Sequence, residues 1–259
     1  MGVVPTVSAI AYAPVKGLAL ASHDEVELEL TGVRDNRRFH LIGDDGRLVN
    51  GKVAGSLVQV GATTDIDSTS LSLRFPDGTM IEDEVVLAAA IETNFFGRPA
   101  GGRLVEGPFS QALSDFVGRE LRLVRSDHPG AGSDRGAAAS VSLVSTATLD
   151  RLAQEAAREA IDGRRFRMLF TITGLTEHEE DGWLGRSVAI GDAVVRVEEV
   201  VGRCAVTTHD PDTGVPDLDT LRILARYRPP DSGEPLPIGV WGQVEEPGIV
   251  RVGDAVEAL

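Results

Sequence analysis

The sequence has a single cysteine, Cys204, among its 259 residues. An internal disulfide is therefore impossible, and so is a zinc site that needs a cysteine pair. A lone thiol suits a reducing compartment, and a cytoplasmic protein is expected. No apolar run approaches the roughly 18 residues of a membrane span. The opening MGVVPTVSAIAYAPVKG carries no basic stretch ahead of an apolar core, so no signal peptide is expected. Positive charge is scarce as well: 25 Lys and Arg face 40 Asp and Glu, a formal net charge of -15. That balance argues against a nucleic-acid partner, which needs a broad basic surface. It leaves room for a local positive pocket. Catalytic and binding motifs are also few. His23, His40, His128, His178 and His209 are scattered, with no H-E-x-x-H pair. There is no G-x-G-x-x-G fingerprint, no P-loop and no G-x-S-x-G elbow.

What is present reads as strands. DEVELEL alternates acidic and apolar residues, the pattern of a strand with one wet face. RRFHLIGDDGRLVNG is a hairpin around an Asp-Asp-Gly turn, and FPDG marks another turn. GPFSQALSDFVG offers a short helix with Ser110 as its expected cap. Residues 128–140, HPGAGSDRGAAAS, are small and glycine-rich and read as a linker. A second helix opens at Ser145 or Thr146 and a third lies within LDTLRILARYRP. RRFRMLFTITG reads as a strand, and two more strands meet at a Gly191-Asp192 turn. The expected fold is mainly β with short helices, in two units: a β-barrel-like domain over 1–125 and a second β-barrel domain over 126–259.

Cys204 sits in VVGRCAVTTHDPDTGVP, where an apolar run enters a polar loop. By residue type a lone cysteine is more often a buried, inert thiol. Strand ends that run into loops are also where sites are built, and a thiolate is a good soft metal ligand. The residues alone leave both readings open. Asp210 and Asp212 read as turn formers in DPDTG, with Gly214 taking positive φ. Trp183 reads as core packing.

GRCAVTTHDPDTG, LDTLRILARYR and PIGVWGQVEEPGIVRVGDAV together resemble the C-terminal signature of the MOSC-domain family. That family includes the mitochondrial amidoxime-reducing component and the C-terminal domain of molybdenum cofactor sulfurase. AYAPVKG, VRDNRRFHLIGDDGRLVNGK, LVSTATLDRL and RRFRMLF extend the resemblance over most of the chain. It implies an N-terminal β-barrel domain followed by a MOSC domain, with a molybdenum–molybdopterin cofactor between them. It implies Cys204 as catalytic residue and molybdenum ligand. For cofactor binding it implies Lys16, one of Arg37 and Arg38 with Arg38 the better match, Ser145, Thr148, Arg167 and Arg203. At the family level it also brings an association with pyridoxal phosphate binding. The implied activity is reduction of N-hydroxylated nitrogen compounds, with a small-molecule substrate and a separate electron-transfer protein as partners. The alternatives are sulfur transfer through a Cys204 persulfide and binding of a ligand without molybdenum. The chain departs from the family pattern at Gly17-Leu18, Leu169 and Gly202, where family members carry polar residues, at Met168, where they carry proline, and in RLVNGK, which lacks their Thr-x-Arg.

Overall fold

The computed structural model describes residues 4–95, 97–128, 140–228 and 234–259. The expected linker falls largely on residues 129–139, outside the described residues. In chain order the first strands are β1 Thr6–Tyr12, β2 Ala21–His23, β3 Glu25–Leu28, β4 Phe39–Ile42, β5 Leu48–Val49 and β6 Gly61–Thr64. They are followed by β7 Ser70–Arg74, β8 Met80–Glu84, β9 Val86–Phe95, β10 Arg98–Glu106 and β11 Arg122–Ser126. The second half adds β12 Val141–Ser145, β13 Phe170–Thr173, β14 Ser187–Ile190, β15 Ala193–Val200, β16 Val240–Glu246, β17 Gly248–Arg251 and β18 Val256–Ala258. The helices are α1 Phe109–Val117, α2 Thr146–Glu155 and α3 Thr220–Tyr227. The fold is mainly β with short helices, as expected.

Hydrogen bonding crosses the expected boundary near residue 125. An eight-stranded sheet runs β18-β14-β15-β16-β12-β13-β1-β2, so the first two strands of the chain belong with strands of the second half. β3 likewise pairs with β17. Alternation explains why β3 can bridge: Val26 and Leu28 are buried and Glu25 and Glu27 exposed. The core of this unit joins Val7, Ile10 and Leu28 to Phe170, Val195 and Val240. A separate core, built on Phe39, Leu57, Leu73, Phe109 and Leu123, fills the unit made of β4 to β11 and α1.

Local signals fare unevenly. The β4–β5 hairpin and the Gly191 turn fall where the sequence puts them. Helix α1 is not capped by Ser110: Pro108 holds the cap position, and the Ser110 Oγ accepts from Leu123 N at 3.0 Å. Residues 164–167 are not strand. Gly163–Phe166 form a 3-10 turn capped by the Asp162 side chain, and strand begins only at Phe170. Among the described residues, no helix is long and apolar enough to cross a membrane.

Two close contacts shape the middle of the molecule. Gly214, at φ 73°, lies against Gly55 from the other half, and a Cβ there would stand 2.0 Å from the Gly55 carbonyl oxygen. The Gln59 Nε2 donates to Thr213 O beside it at 3.0 Å. At the start of α2, the Ser145 Oγ accepts from Thr148 N at 3.0 Å, the N-cap bond. The Ser145 N–H donates to the Glu180 Oε1 at 3.1 Å. Glu180 is 0% exposed.

Gly214→Ala is therefore expected to cost about 2 to 3 kcal/mol, through overpacking and a left-handed backbone. Denaturant unfolding measures it; a cost below about 0.5 kcal/mol would show that the halves do not meet there. Burial pushes the Glu180 carboxyl above its usual range, against the lowering pull of hydrogen bonds from Ser145 and Thr148. The folded state then holds a proton that the unfolded state has lost, so stability falls as pH rises above the ordinary glutamate pKa. Glu180→Gln cannot ionise, and its melting temperature should gain on wild type between about pH 5 and about pH 8. Thermal melts at both ends of that range check it, and parallel pH profiles would rule it out.

Candidate functional site

Beyond the end of β15 the chain stays extended through Cys204, at φ -131° and ψ 174°. It then tightens into a 3-10 turn, Ala205–Thr208. The Cys204 carbonyl accepts from both the N–H and the Oγ1 of Thr207, at 3.1 and 3.0 Å. Thr207 is anchored in turn on α3 by a 2.7 Å bond to the Thr220 hydroxyl. Backbone and neighbours are thus fixed while the thiol is left exposed. This disposes of the buried reading of Cys204.

The thiol opens on a cleft of about 660 Å³ lined by residues from both halves of the chain. Lys16, Arg37, Arg167, Arg203 and Cys204, all implicated by the sequence, line it together. Short local bonds put them there. Lys16 N donates to Phe39 O and Arg37 N to Ala13 O, both at 2.8 Å, so the Ala13–Lys16 segment lies along the start of β4. Arg37 and Arg167 both adopt left-handed backbone, at φ 55° and 53°. The Arg37 guanidinium donates to Arg167 O at 2.9 Å, and the Arg167 guanidinium to Leu18 O at 2.7 Å. Arg203 donates to Phe166 O at 3.0 Å and to Ile238 O, and lies 5.1 Å from the Phe166 ring centroid. Its Nη2 also meets the Met168 sulfur.

Three other residues implicated by the sequence lie elsewhere. The Arg38 guanidinium turns to Ser126 O at 2.5 Å, and burial, with Arg125 nearby, lowers its pKa. Arg37, not the better-matching Arg38, reaches the cleft, because Arg37 takes the left-handed conformation. Ser145 and Thr148 are buried in the cap of α2 and do not line the cleft. Trp183 packs in the core and Asp210 closes the DPDTG turn, accepting from Thr213 N at 2.8 Å, both as expected.

Sequence reasoning missed three cations that line the same cleft: Lys52, Arg98 and Arg165. Lys16 and Lys52 are the only lysines in the sequence, a composition signal that was there to be read. Arg165 is 6% exposed and grips the Asp217 carboxylate with two bonds of 2.7 Å and His209 O with a third. Its Nε is left without an acceptor, and the Oδ1 of buried Asn36, also on the cleft, without a donor. Among the described residues, no group of three or more His, Cys, Asp or Glu is placed to hold a metal ion.

Comparison with known proteins agrees with this architecture. The MOSC domain matches residues 128–257 and the MOSC N-terminal beta barrel domain residues 4–120. Mitochondrial amidoxime-reducing component 1 of Mus musculus is 27% identical over 287 residues, covering 99% of this chain and 83% of that protein. The Homo sapiens component 1 is 28% identical over 284 residues, with 99% and 83% covered. Homo sapiens component 2 is 40% identical over 102 residues, 35% of this chain and 29% of that protein. Among solved structures, the YUAD protein from Bacillus subtilis superposes with a TM-score of 0.46 at 10% identity, covering 99% of this chain and 96% of that one. With both models matched in order along its length, the chain belongs to the MOSC-domain family, in the form that carries the N-terminal β-barrel domain.

Proposed function

We propose that the cleft binds a molybdenum–molybdopterin cofactor with Cys204 as the one protein ligand to the metal, and that the protein reduces N-hydroxylated nitrogen compounds. One observation carries this reading: among the described residues, an exposed thiol shares a cleft with seven cationic side chains, in a protein of net charge -15. The similar amidoxime-reducing components support the choice of reaction.

The residues present fit the group. A thiolate is a soft ligand, and a metal that arrives chelated by a dithiolene needs only one more. The cofactor's phosphate is anionic and calls for cations. Lys16, Arg37 and Arg167 would face it from the two halves of the cleft. Asn36 Oδ1, buried without a donor, suits an N–H of a pterin ring. Gly17 and Leu169 lack the polar groups of the family pattern. Lys52, Arg98 and Arg165 are the replacements we assign. Gly17 adopts φ 93°, a turn that other residues resist. Leu169 is buried, and its N–H donates to Ser142 Oγ at 3.1 Å, so that position serves the core.

When bound, the cofactor supplies a metal that accepts oxygen from nitrogen and passes two electrons. Overall, R–NHOH, two electrons and two protons give R–NH2 and water. The electrons come from a separate haem- or flavin-bearing protein. Arg203 acts as a positioning residue, since it ties the residue before Cys204 to Phe166 O and Ile238 O. We assign the protein to the cytoplasm, where Cys204 stays reduced. The exposed thiol also suits a second reading, sulfur transfer through a Cys204 persulfide.

Metal analysis of protein from a host that makes molybdopterin tests the assignment. About one molybdenum per chain is expected in wild type and a large loss in Cys204→Ala, whose melting temperature should match that of metal-free wild type because the thiol is exposed. A competent host that yields metal-free protein overturns the molybdenum reading. A persulfide on Cys204 in that protein, seen by intact mass, would favour sulfur transfer.

A further inference from the structure

A short ladder joins the end of β1 to the start of β4. Arg37 N donates to Ala13 O at 2.8 Å and Phe39 N to Pro14 O at 2.9 Å. Val15 and Phe39 continue it as a parallel bridge. One rung further back the pairing passes to side chains: the Tyr12 hydroxyl donates to the Asp35 Oδ2 at 3.2 Å. Arg37 lies between the Asp35 rung and the Phe39 rung, and there the backbone turns left-handed, at φ 55°. A non-glycine residue in that region is strained and stays so only where its neighbours over-determine it. The strain has a result. Successive arginines part, Arg37 donating to Arg167 O on the cleft and Arg38 to Ser126 O. Asn36, between Asp35 and Arg37, is also buried on the cleft wall, its Oδ1 without a donor.

The Tyr12–Asp35 rung has its own support. Tyr12 opposes Ala21 and Ile10 opposes His23, so Tyr12 and His23 are diagonal neighbours on β1 and β2. Their rings stack with centroids 4.0 Å apart at 9°. The stack fixes the tyrosine ring and with it the direction of the hydroxyl. Burial, then the Asp35 charge, push the Tyr12 phenol above its usual range, so it stays protonated and remains a donor. Asp35 is half-buried, and burial raises its carboxyl against the lowering pull of a backbone bond, of Tyr12 and of His23. A carboxylate taken partly out of water is costly unless bonded. Neither Tyr12 nor Asp35 lines the cleft.

We propose that the Tyr12–Asp35 bond is a latch for the anion-binding wall of the cleft, holding Asn36 and Arg37 in the conformation that turns them to an anionic ligand. Asp35 is thus a positioning residue that acts through Arg37. Without the latch the strained turn is held on one side only, by the Ala13 and Pro14 carbonyls, and relaxes toward a backbone that costs Arg37 less. The guanidinium then leaves the cleft for part of the time, and anion affinity falls in proportion. That the anion is the phosphate of molybdopterin rests on the cofactor reading above; the latch itself does not.

The test measures sulfate binding by calorimetry on the full chain, made in a host without molybdopterin. The samples are wild type, Tyr12→Phe, Asp35→Ala, Asp35→Asn, Arg37→Ala and the double variant Tyr12→Phe with Arg37→Ala. Tyr12→Phe keeps the stacked ring and removes only the bond. It is expected to weaken sulfate binding about fivefold, the scale of one hydrogen bond. Asp35→Ala should do the same, and Asp35→Asn, which keeps an acceptor oxygen, should restore most of the affinity. In the Arg37→Ala background Tyr12→Phe should change nothing further. A bond that served the fold alone would act equally with and without Arg37. That outcome overturns the proposal, as does Tyr12→Phe binding sulfate as tightly as wild type, or wild type binding none. Molybdenum is measured separately on wild type from a host that makes molybdopterin. Metal-free protein there overturns the cofactor reading, while the sulfate comparison still decides the latch.

Discussion

Repulsion among the cations of one cleft is the constraint on which the central structure depends. Lys16, Arg37, Lys52, Arg98, Arg165, Arg167 and Arg203 converge there, with Glu199 and Glu234 as the only carboxylates on its walls among the described residues. A guanidinium taken partly out of water needs acceptors. Backbone carbonyls supply most of them: Arg167 O for Arg37, Leu18 O for Arg167, Phe166 O and Ile238 O for Arg203, His209 O for Arg165. Carbonyls satisfy hydrogen bonding but carry no net charge. A phosphate-bearing cofactor would bring negative charge to the same walls.

The same bonds join the halves. Arg167 reaches back to Leu18, and Arg37 reaches forward to Arg167. Both are non-glycine residues in left-handed backbone, a conformation that persists only where surrounding contacts over-determine it. Each makes the other's position tenable. The Gly214–Gly55 approach closes the structure on a second side, where no side chain fits. The loop that follows Cys204 is thus held from the N-terminal half by contact and from the C-terminal half by Arg165 and Asp217.

Much of this was legible where the cause is local. The DPDTG turn, the Ser145 cap and the Gly191 turn follow from residues within a few positions of one another. Cys204 was legible through a family signature that is itself contiguous. The failures are those of distance. Nothing near Lys52, Arg98 or Arg165 in the chain announces that folding brings them to Cys204. The choice between Arg37 and Arg38 turned on one backbone torsion that a strand pattern cannot express. Residues 164–167 read as strand together with the apolar residues that follow them, but the Asp162 cap and the left-handed Arg167 make them a turn. That turn is what aims Arg167 at Leu18. The pairing of β1, β2 and β3 with strands of the second half is likewise a long-range choice.

Glu199 shows the same limit at the scale of one residue. In sequence it is one of two adjacent glutamates in a strand, indistinguishable from its neighbour. A β-bulge between Val197 and Glu199 separates them: Glu198 goes to Gln243 and Arg196, and Glu199 to the cleft. A bulge forfeits part of the sheet ladder, a loss that a purely structural strand has no reason to keep. Placing an uncommitted carboxylate among cations without letting them pair adds a further cost, since any nearby guanidinium would bind it more cheaply. Those already held by carbonyls on opposite walls are not free to do so.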